Sequence, residues 1–504
     1  MKKLTVIAAS VLAASIAAPV ANAATFTPTA EFNGYARSSV GSSRDGAQIE
    51  HKKNYLGRLG NEADSWADLG LSVNAFKYND LSFKVESMVS IWSDGAARGE
   101  NFNDKANSSF EQLNLQVKGA IPSNKDAVLW GGKRHYQRED IHITDHKYYN
   151  VSGIGGGLEY LQVGPGKLSL AWTRNDADGF TYRTNDIHYA NGWKDDGTYH
   201  PNYWYDKYKK DENEFLKSIN VNYFDARYAG WAPWDGAWTE FGFTYAMPRK
   251  GETDDRNGKA FFYNGYNGSQ FNLGDAFMIT AQISQNFAAG FNQTIVQYTT
   301  GGLAHHAIDM GDSWMDFWNN SDNSKGLNII NTGEIALTEN FRFMHEIAYG
   351  VQTHVSDDYT TTYDALTYNA WPGENYHSGA FGMASANGFV PTEKKRLFKA
   401  VVRPSYQLTE YTRILAELGA YWEKTEYGAN VKSSTDRGQK VTIAYAIAPS
   451  KEIKSRPELR FFFTYLHSSD WNREDGWDKG ISNHDGDKRY EDNYMYGISA
   501  EAWW

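Results

Sequence analysis

The chain closes on a strand with one apolar and one polar face. From Tyr494 to Trp504 the even positions are Tyr494, Tyr496, Ile498, Ala500, Ala502 and Trp504, whereas the odd positions include Gly497, Ser499 and Glu501. A period of two is the signature of a β-strand with two unlike faces. Here one face suits lipid and the other suits water. An aromatic residue at the free end suits the bilayer interface, where the ring is buried and the indole N–H stays wet. Beyond the amino-terminal segment no apolar run is long enough for a membrane helix. If this chain spans a membrane, it must do so as a closed barrel, because hydrocarbon offers no partner to an unpaired backbone group.

The first residues read as an export signal. Lys2 and Lys3 precede an apolar, alanine-rich stretch from Leu4 to Val20, and Ala21-Asn22-Ala23 fits the small-x-small cleavage rule. The expected division is therefore a signal peptide over 1–23 and an outer-membrane barrel over 24–504.

Composition narrows the function. With no cysteine, thiolate catalysis and cysteine-ligated metal are excluded. A formal net charge of −11 argues against nucleic acid as a partner. Tyr, Trp, Gly and Asn are abundant, as short strands, tight turns and aromatic girdles require.

Alternation recurs along the chain. Glu31, Asn33, Tyr35 and Arg37 share one face of the first strand. Trp66, Asp68, Gly70, Ser72 and Asn74 oppose Ala67, Leu69, Leu71 and Val73. Ile414, Ala416, Leu418, Ala420 and Trp422 oppose Arg413 and Glu417, and Leu459, Phe461, Phe463 and Tyr465 alternate with Glu458, Arg460, Phe462 and Thr464. Each strand thus has an apolar side and a side that includes charges. Long polar connections near 175–213, 250–272, 309–326, 354–392 and 468–491 alternate with short ones such as Gln407-Leu408-Thr409-Glu410. One rim of tight turns and one of long loops is a barrel pattern. The fold class expected is all-β: one transmembrane antiparallel β-barrel in the outer membrane, in contact with its lipid.

Several segments carry a family resemblance. They are FNGYARSSVG (32–41), GRLGNEADSWADL (57–69), WGGKRHYQREDIHITDHKYYNVSGIGGGLE (130–159), VGPGKLSLAWTR (163–174), GFNQTIVQY (290–298), SRPELRFFFTYL (455–466) and the terminal AEAWW. In these the chain resembles the maltoporin-like, carbohydrate-specific outer-membrane porins, with stretches such as DSWADL nearer the aryl-glucoside branch. The resemblance implies a homotrimer of eighteen-stranded barrels. It also implies that the third loop folds inward to constrict each pore.

The resemblance implies a row of aromatics for sugar C–H faces at Tyr35, Trp66, Phe291 and Trp503. Parity independently places Tyr35 with Arg37, Trp66 with Asp68, and Trp503 with Glu501. Polar tracks for sugar hydroxyls would include Arg37, Arg58, Asp68, Arg138, Asp140 and Asp145, which offer donor forks and acceptor oxygens. Three positions depart from the maltoporin pattern. Glu111 stands where an arginine is usual, Lys147 where a constriction tyrosine is usual, and Lys454 where a tryptophan precedes Ser-Arg-Pro. Parity with Glu458 and Arg460 points Lys454 into the lumen. These changes bear on substrate preference and leave the architecture intact.

Other motifs compete. His135, His142 and His146 with Glu139, Asp140 and Asp145 resemble a metal cluster, but match no helical zinc spacing. His305-His306 falls in a predicted loop. Gly153 to Gly157 lacks the context of a phosphate loop and reads as a sharp turn or a close backbone approach. A secreted glycoside hydrolase would need two carboxylates flanking one bond, and no pattern singles out such a pair. A general diffusion porin would keep the barrel without a sugar site. The expectation is a channel for passive, saturable diffusion of oligosaccharides, with no catalysis, cofactor or metal.

Overall fold

A computed structural model describes residues 26–44, 46–94, 106–175, 181–183, 214–216, 220–248, 274–311, 314–315, 323–355, 384–385, 388–389, 392–428, 432–469 and 492–504. The expected signal peptide, 1–23, lies outside the described residues, as do large parts of the long connections.

Eighteen antiparallel strands form the wall. They are β1 (Thr29–Ser43), β2 (Asp64–Tyr78), β3 (Leu81–Asp94), β4 (Ala106–Lys118), β5 (Val128–Arg134), β6 (Gly153–Val163), β7 (Gly166–Arg174), β8 (Val221–Trp231), β9 (Ala237–Pro248), β10 (Ala276–Phe287), β11 (Gly290–Thr300), β12 (Lys325–Ala336), β13 (Phe341–Thr353), β14 (Thr392–Gln407), β15 (Thr412–Tyr427), β16 (Ser434–Ile447), β17 (Glu458–Ser468) and β18 (Asp492–Trp503). Each pairs with the next, and β1 pairs with β18 over Tyr35↔Trp503 to Ser43↔Met495, so the sheet closes without an edge. Tight turns such as Asn79-Asp80, Gly164-Pro165 and Ala288-Ala289 mark one rim, and the long connections mark the other. In an outer-membrane barrel the long-loop rim faces outside.

The alternation places the side chains as expected. Phe461, Phe463 and Tyr465 are exposed on the outer wall, and Glu458, Arg460, Phe462 and Thr464 are buried inside. Ile414 and Leu418 point out, while Arg413, Glu417 and Tyr421 point in. The buried cluster therefore fills the barrel rather than sitting between sheets.

Three segments fold into the lumen, where the sequence pointed to one. The expected segment, 135–152, enters as a short hairpin pairing Glu139–Ile141 with His146–Tyr149. Residues 48–63 enter with a one-turn helix, Lys53–Leu56, and residues 301–310 enter with His306–Asp309. Leu56, Leu59, Ile143, Tyr149, Val151, Leu303 and Ile308 are buried against the wall. Burying one such side chain contributes about 1.5–3 kcal/mol.

Buried charges on the wall hold these segments. The Glu417 carboxylate accepts from Leu59 N–H at 2.9 Å, Arg403 Nε at 2.6 Å and Lys440 Nζ at 2.6 Å. Glu346 accepts from Lys399 at 2.7 Å and from Thr144, and lies 3.1 Å from His146 Nδ1. Lys399 also donates to the Asn54 carbonyl at 2.6 Å. The 48–63 segment comes close enough to the wall that glycine is required. Gly57 and Gly60 have φ of +88° and +60°, and a Cβ on either would meet Glu417 or Thr464 at 2.4 Å.

Two local expectations change. Gly153 to Gly157 is not a turn but the start of β6, and the close approach is real. A Cβ on Gly157 would lie 2.5 Å from the Leu170 carbonyl and 2.7 Å from Trp130 Nε1. His305-His306 is not an open loop but the start of the inward helix, with His306 Nε2 2.9 Å from the Tyr148 carbonyl.

Candidate functional site

The lumen holds three successive settings for a passing molecule. On the loop side, Arg37, Trp66 and Trp92 stand opposite one another on β1, β2 and β3. Trp66 and Trp92 stack at 5.1 Å between centroids with planes 19° apart, and the Arg37 guanidinium lies 5.8 Å from the Trp66 ring centre. Trp66 donates its N–H to Asp68 Oδ1 at 2.6 Å, and Ser90 donates to the same oxygen. Asp68 therefore anchors a ring rather than standing free. Trp92 has no such anchor, and among the described residues its N–H has no partner. Trp92 escaped the sequence reading, although it shares a strand face with Ser90 and Glu86 and parity could have found it.

At mid-height the path meets a dense charge network. Tyr35 and Trp503 stack at 6.5 Å and 19°. Tyr35 O–H donates to Glu501 Oε1 at 2.9 Å and accepts from Arg58 Nη2 at 2.8 Å. Glu501 also accepts from Arg456 Nε at 2.7 Å and from Arg460. The Arg456 guanidinium lies 4.5 Å from the Trp503 ring centre, covering one platform of the aromatic row. Arg58 is buried, with Nε bonded to Glu62 at 3.0 Å, so it braces the network from behind. Arg37 donates to Asp64 at 2.8 Å and lies 3.8 Å from Asp145. Lys53 reaches Asp145 at 3.3 Å.

The charges set protonation here. Burial alone would raise the Asp145 carboxyl, but Arg58, Lys53, Lys147 and Arg37 outweigh it and hold it below the usual carboxylate range. His142 lies between Arg58 (3.2 Å from Nδ1) and Arg456 (3.4 Å from Nε2) and edge-on to Trp503. Burial first, then the Arg58 charge, push its imidazole well below its ordinary value, so it is neutral at pH 7. His142 was noted in the sequence only as part of a metal-like cluster; Glu62 and Arg456 fell within segments carrying the resemblance without being singled out, and Lys53 was not noted.

The rest of the inward hairpin spreads its polar groups. Arg138 and Asp140 are exposed on either side of Glu139, and Glu139 accepts from Tyr148 O–H and from Gln282 Nε2 at 2.7 Å. Lys147 is half-buried near Asp145. Glu111 sits at a bulge in β4, 3.6 Å from His135 Nε2. Of the metal-like motif, His135 pairs with Glu111, His146 with Glu346 and Asp145 with Arg37 and Lys53, and no group of three forms a metal site among the described residues.

Near the turn rim, Phe291 projects from the far wall two residues past the Ala288-Ala289 turn. Lys454 is not on β17 but in the turn before it, so parity does not govern it. Its ammonium nevertheless reaches to 6.0 Å from the Phe291 ring centre. Glu334 stands opposite Phe291 on β12, beyond ion-pair distance of Lys454.

These features define a membrane channel with a constricted, aromatic and charged lumen. The LamB porin profile matches residues 30–504. Maltoporin 1 of Klebsiella pneumoniae subsp. pneumoniae is 40% identical over 495 residues, covering 98% of this chain and 97% of that protein. Maltoporin 2 of Yersinia pseudotuberculosis is 36% identical over 478 residues, covering 94% of each. Maltoporin 1 of Aeromonas salmonicida is 33% identical over 506 residues, covering 98% of each. The chain belongs to the LamB porin family. It is a β-barrel channel of the outer membrane.

Proposed function

We propose that the channel carries oligosaccharides by passive, saturable diffusion along Trp92, Trp66, Tyr35, Trp503 and Phe291. The carrying observation is that these rings project inward from the wall and are flanked by hydrogen-bonding charges. A pyranose has C–H faces that stack on aromatic rings and hydroxyls that suit charged partners. Many weak sites in series retain a sugar without trapping it, as in ion conduction. No step needs catalysis, a cofactor or a metal. Arg37, Arg138, Asp140, Asp145 and Lys147 serve the hydroxyls, while Arg58, Asp68 and Glu111 support the groups beside them.

Residues 1–23 direct export. The assembled form is a homotrimer. Ala36, Ser38, Ser65, Ala67, Ala500 and Ala502 line an open hollow on the outer wall of β18, β1 and β2, where another barrel can approach closely.

Planar-bilayer conductance titrated with maltodextrins and β-glucosides tests the reading. Concentration-dependent closure by one class is the expected result. Stable channels that no oligosaccharide blocks would make this a general diffusion porin.

A further inference from the structure

We infer that the outer wall of β12–β16, just below the loop rim, binds the phosphate groups of an outer-leaflet lipid. Five cations converge there on the lipid-facing side: Lys325 on β12, Lys394 and Arg396 on β14, Lys424 on β15 and Arg437 on β16. They share parity with outward residues such as Ile329, Phe398, Leu418 and Val441, whereas the alternate positions Leu397, Lys399, Tyr421 and Lys440 are buried inside.

The register arranges them in tiers. Ile329, Tyr349, Phe398, Trp422 and Arg437 form one row across the five strands. Two residues nearer the rim come Arg396 and Lys424, directly opposite each other. Two residues further come Lys325, Thr353, Lys394 and Glu426. Each step is about 7 Å. An aromatic row marks the boundary of the hydrocarbon. Arg437 at this row and the cations above it therefore sit at or near head-group depth, where an outward charge costs little.

Among the described residues the patch is short of anions. Glu426 accepts from Arg396 at 2.6 Å and Lys424 at 2.9 Å, so one carboxylate serves two cations. Among the described residues Lys325, Lys394 and Arg437 pair with no acid, and Lys432 is exposed nearby. Among the described residues Glu393, at the β14 bulge, is the other acid at this edge. In a chain of net charge −11 this local excess of cations is a departure from the whole. A guanidinium fork beside ammonium groups suits phosphate. The exposed Phe398, Val441 and Ile443 below suit acyl chains. A lipid, unlike a free anion, engages both.

The test uses the purified full-length channel in neutral detergent and reads bound lipid by native mass spectrometry. The probes are bis-phosphorylated lipid A, the same lipid stripped of phosphate, and inorganic phosphate. The phosphorylated lipid is expected to bind at least about tenfold tighter than the stripped one. Lys394→Gln with Arg437→Gln breaks no ion pair and is expected to cost about fivefold per charge. Arg396→Gln with Lys424→Gln is expected to match it, while Lys451→Gln on the turn rim changes nothing. Equal binding of the stripped lipid, or indifference to both double variants, overturns the proposal. So does competition by inorganic phosphate at equal concentration, which would mark a site for free anions. Dissociation of the oligomer in either double variant would also overturn it, by making the patch a contact between copies.

Discussion

The two ends of the aromatic path solve the same problem differently. On the loop side, Trp66 and Trp92 stack on each other, and Asp68 fixes the Trp66 ring by its N–H. On the turn side, Phe291 stands with a lysine ammonium 6.0 Å from its centre. The first end is a stacked platform pair flanked by the Arg37 guanidinium and the Asp68 carboxylate; the second sets a single ring beside an ammonium that pairs with no acid among the described residues. On the proposed path a neutral sugar would meet stacked rings and the Arg37 donors at the first end, whereas the second would also reward an anionic or strongly accepting substituent. Between them lies a constriction whose geometry is set by ion pairs.

The largest expected effect removes what separates the two ends. Glu501→Ala leaves Arg58, Arg456 and Arg460 without their shared acceptor. Breaking a buried pair in this way costs about 3–5 kcal/mol. The urea midpoint should fall and single-channel conductance should become noisy. A quiet channel of unchanged stability would show that the network is not what holds the constriction.

Next come the loop-side rings. Trp66→Ala and Trp92→Ala should each weaken oligosaccharide block by about 3–10-fold, from the loss of roughly 0.5–1.5 kcal/mol of ring interaction. Ion conductance should hold or rise, because a ring occupies space but carries no charge. Unchanged block in Trp66→Ala would take that ring out of the path.

A smaller change sharpens the turn-side end. Lys454→Trp should raise affinity for neutral oligosaccharides and lower it for anionic ones, by a few-fold each, or about 0.5–1 kcal/mol. Equal affinities for both classes in wild type and variant would end the contrast between the two ends.

The smallest effect is a pH dependence. Folded His142 resists protonation, whereas in the unfolded chain it titrates near its ordinary value of about 6.5. Below that pH the unfolded state takes up a proton that the folded state refuses, so stability falls as pH drops. His51 acts in the same direction, lowered to about 4 by burial and by Lys52. The loss between pH 7 and pH 5 should shrink in His142→Gln. An identical pH slope in wild type and variant would assign the effect elsewhere.

Much of this molecule is legible in its sequence alone. Strict alternation in β1, β2, β15, β17 and β18 determined which residues face lipid, because a strand has only two faces and hydrocarbon accepts only one kind. Tyr35, Trp66 and Trp503 could be placed beside Arg37, Asp68 and Glu501 by counting alone. Counting failed where the chain leaves the strand. Lys454 belongs to a turn, and its approach to Phe291 depends on where that turn sits across the lumen.

Likewise, local sequence does not show that 48–63 and 301–310 fold inward. Leu56, Leu59 and Ile308 read as ordinary loop residues until buried wall charges such as Glu417 and Lys399 supply partners hundreds of positions away. Short-range patterning determined the barrel and its two faces. Long-range pairing in the closed lumen decided the constriction, because an ion pair or a stacked ring records distance in space and leaves no period in the sequence.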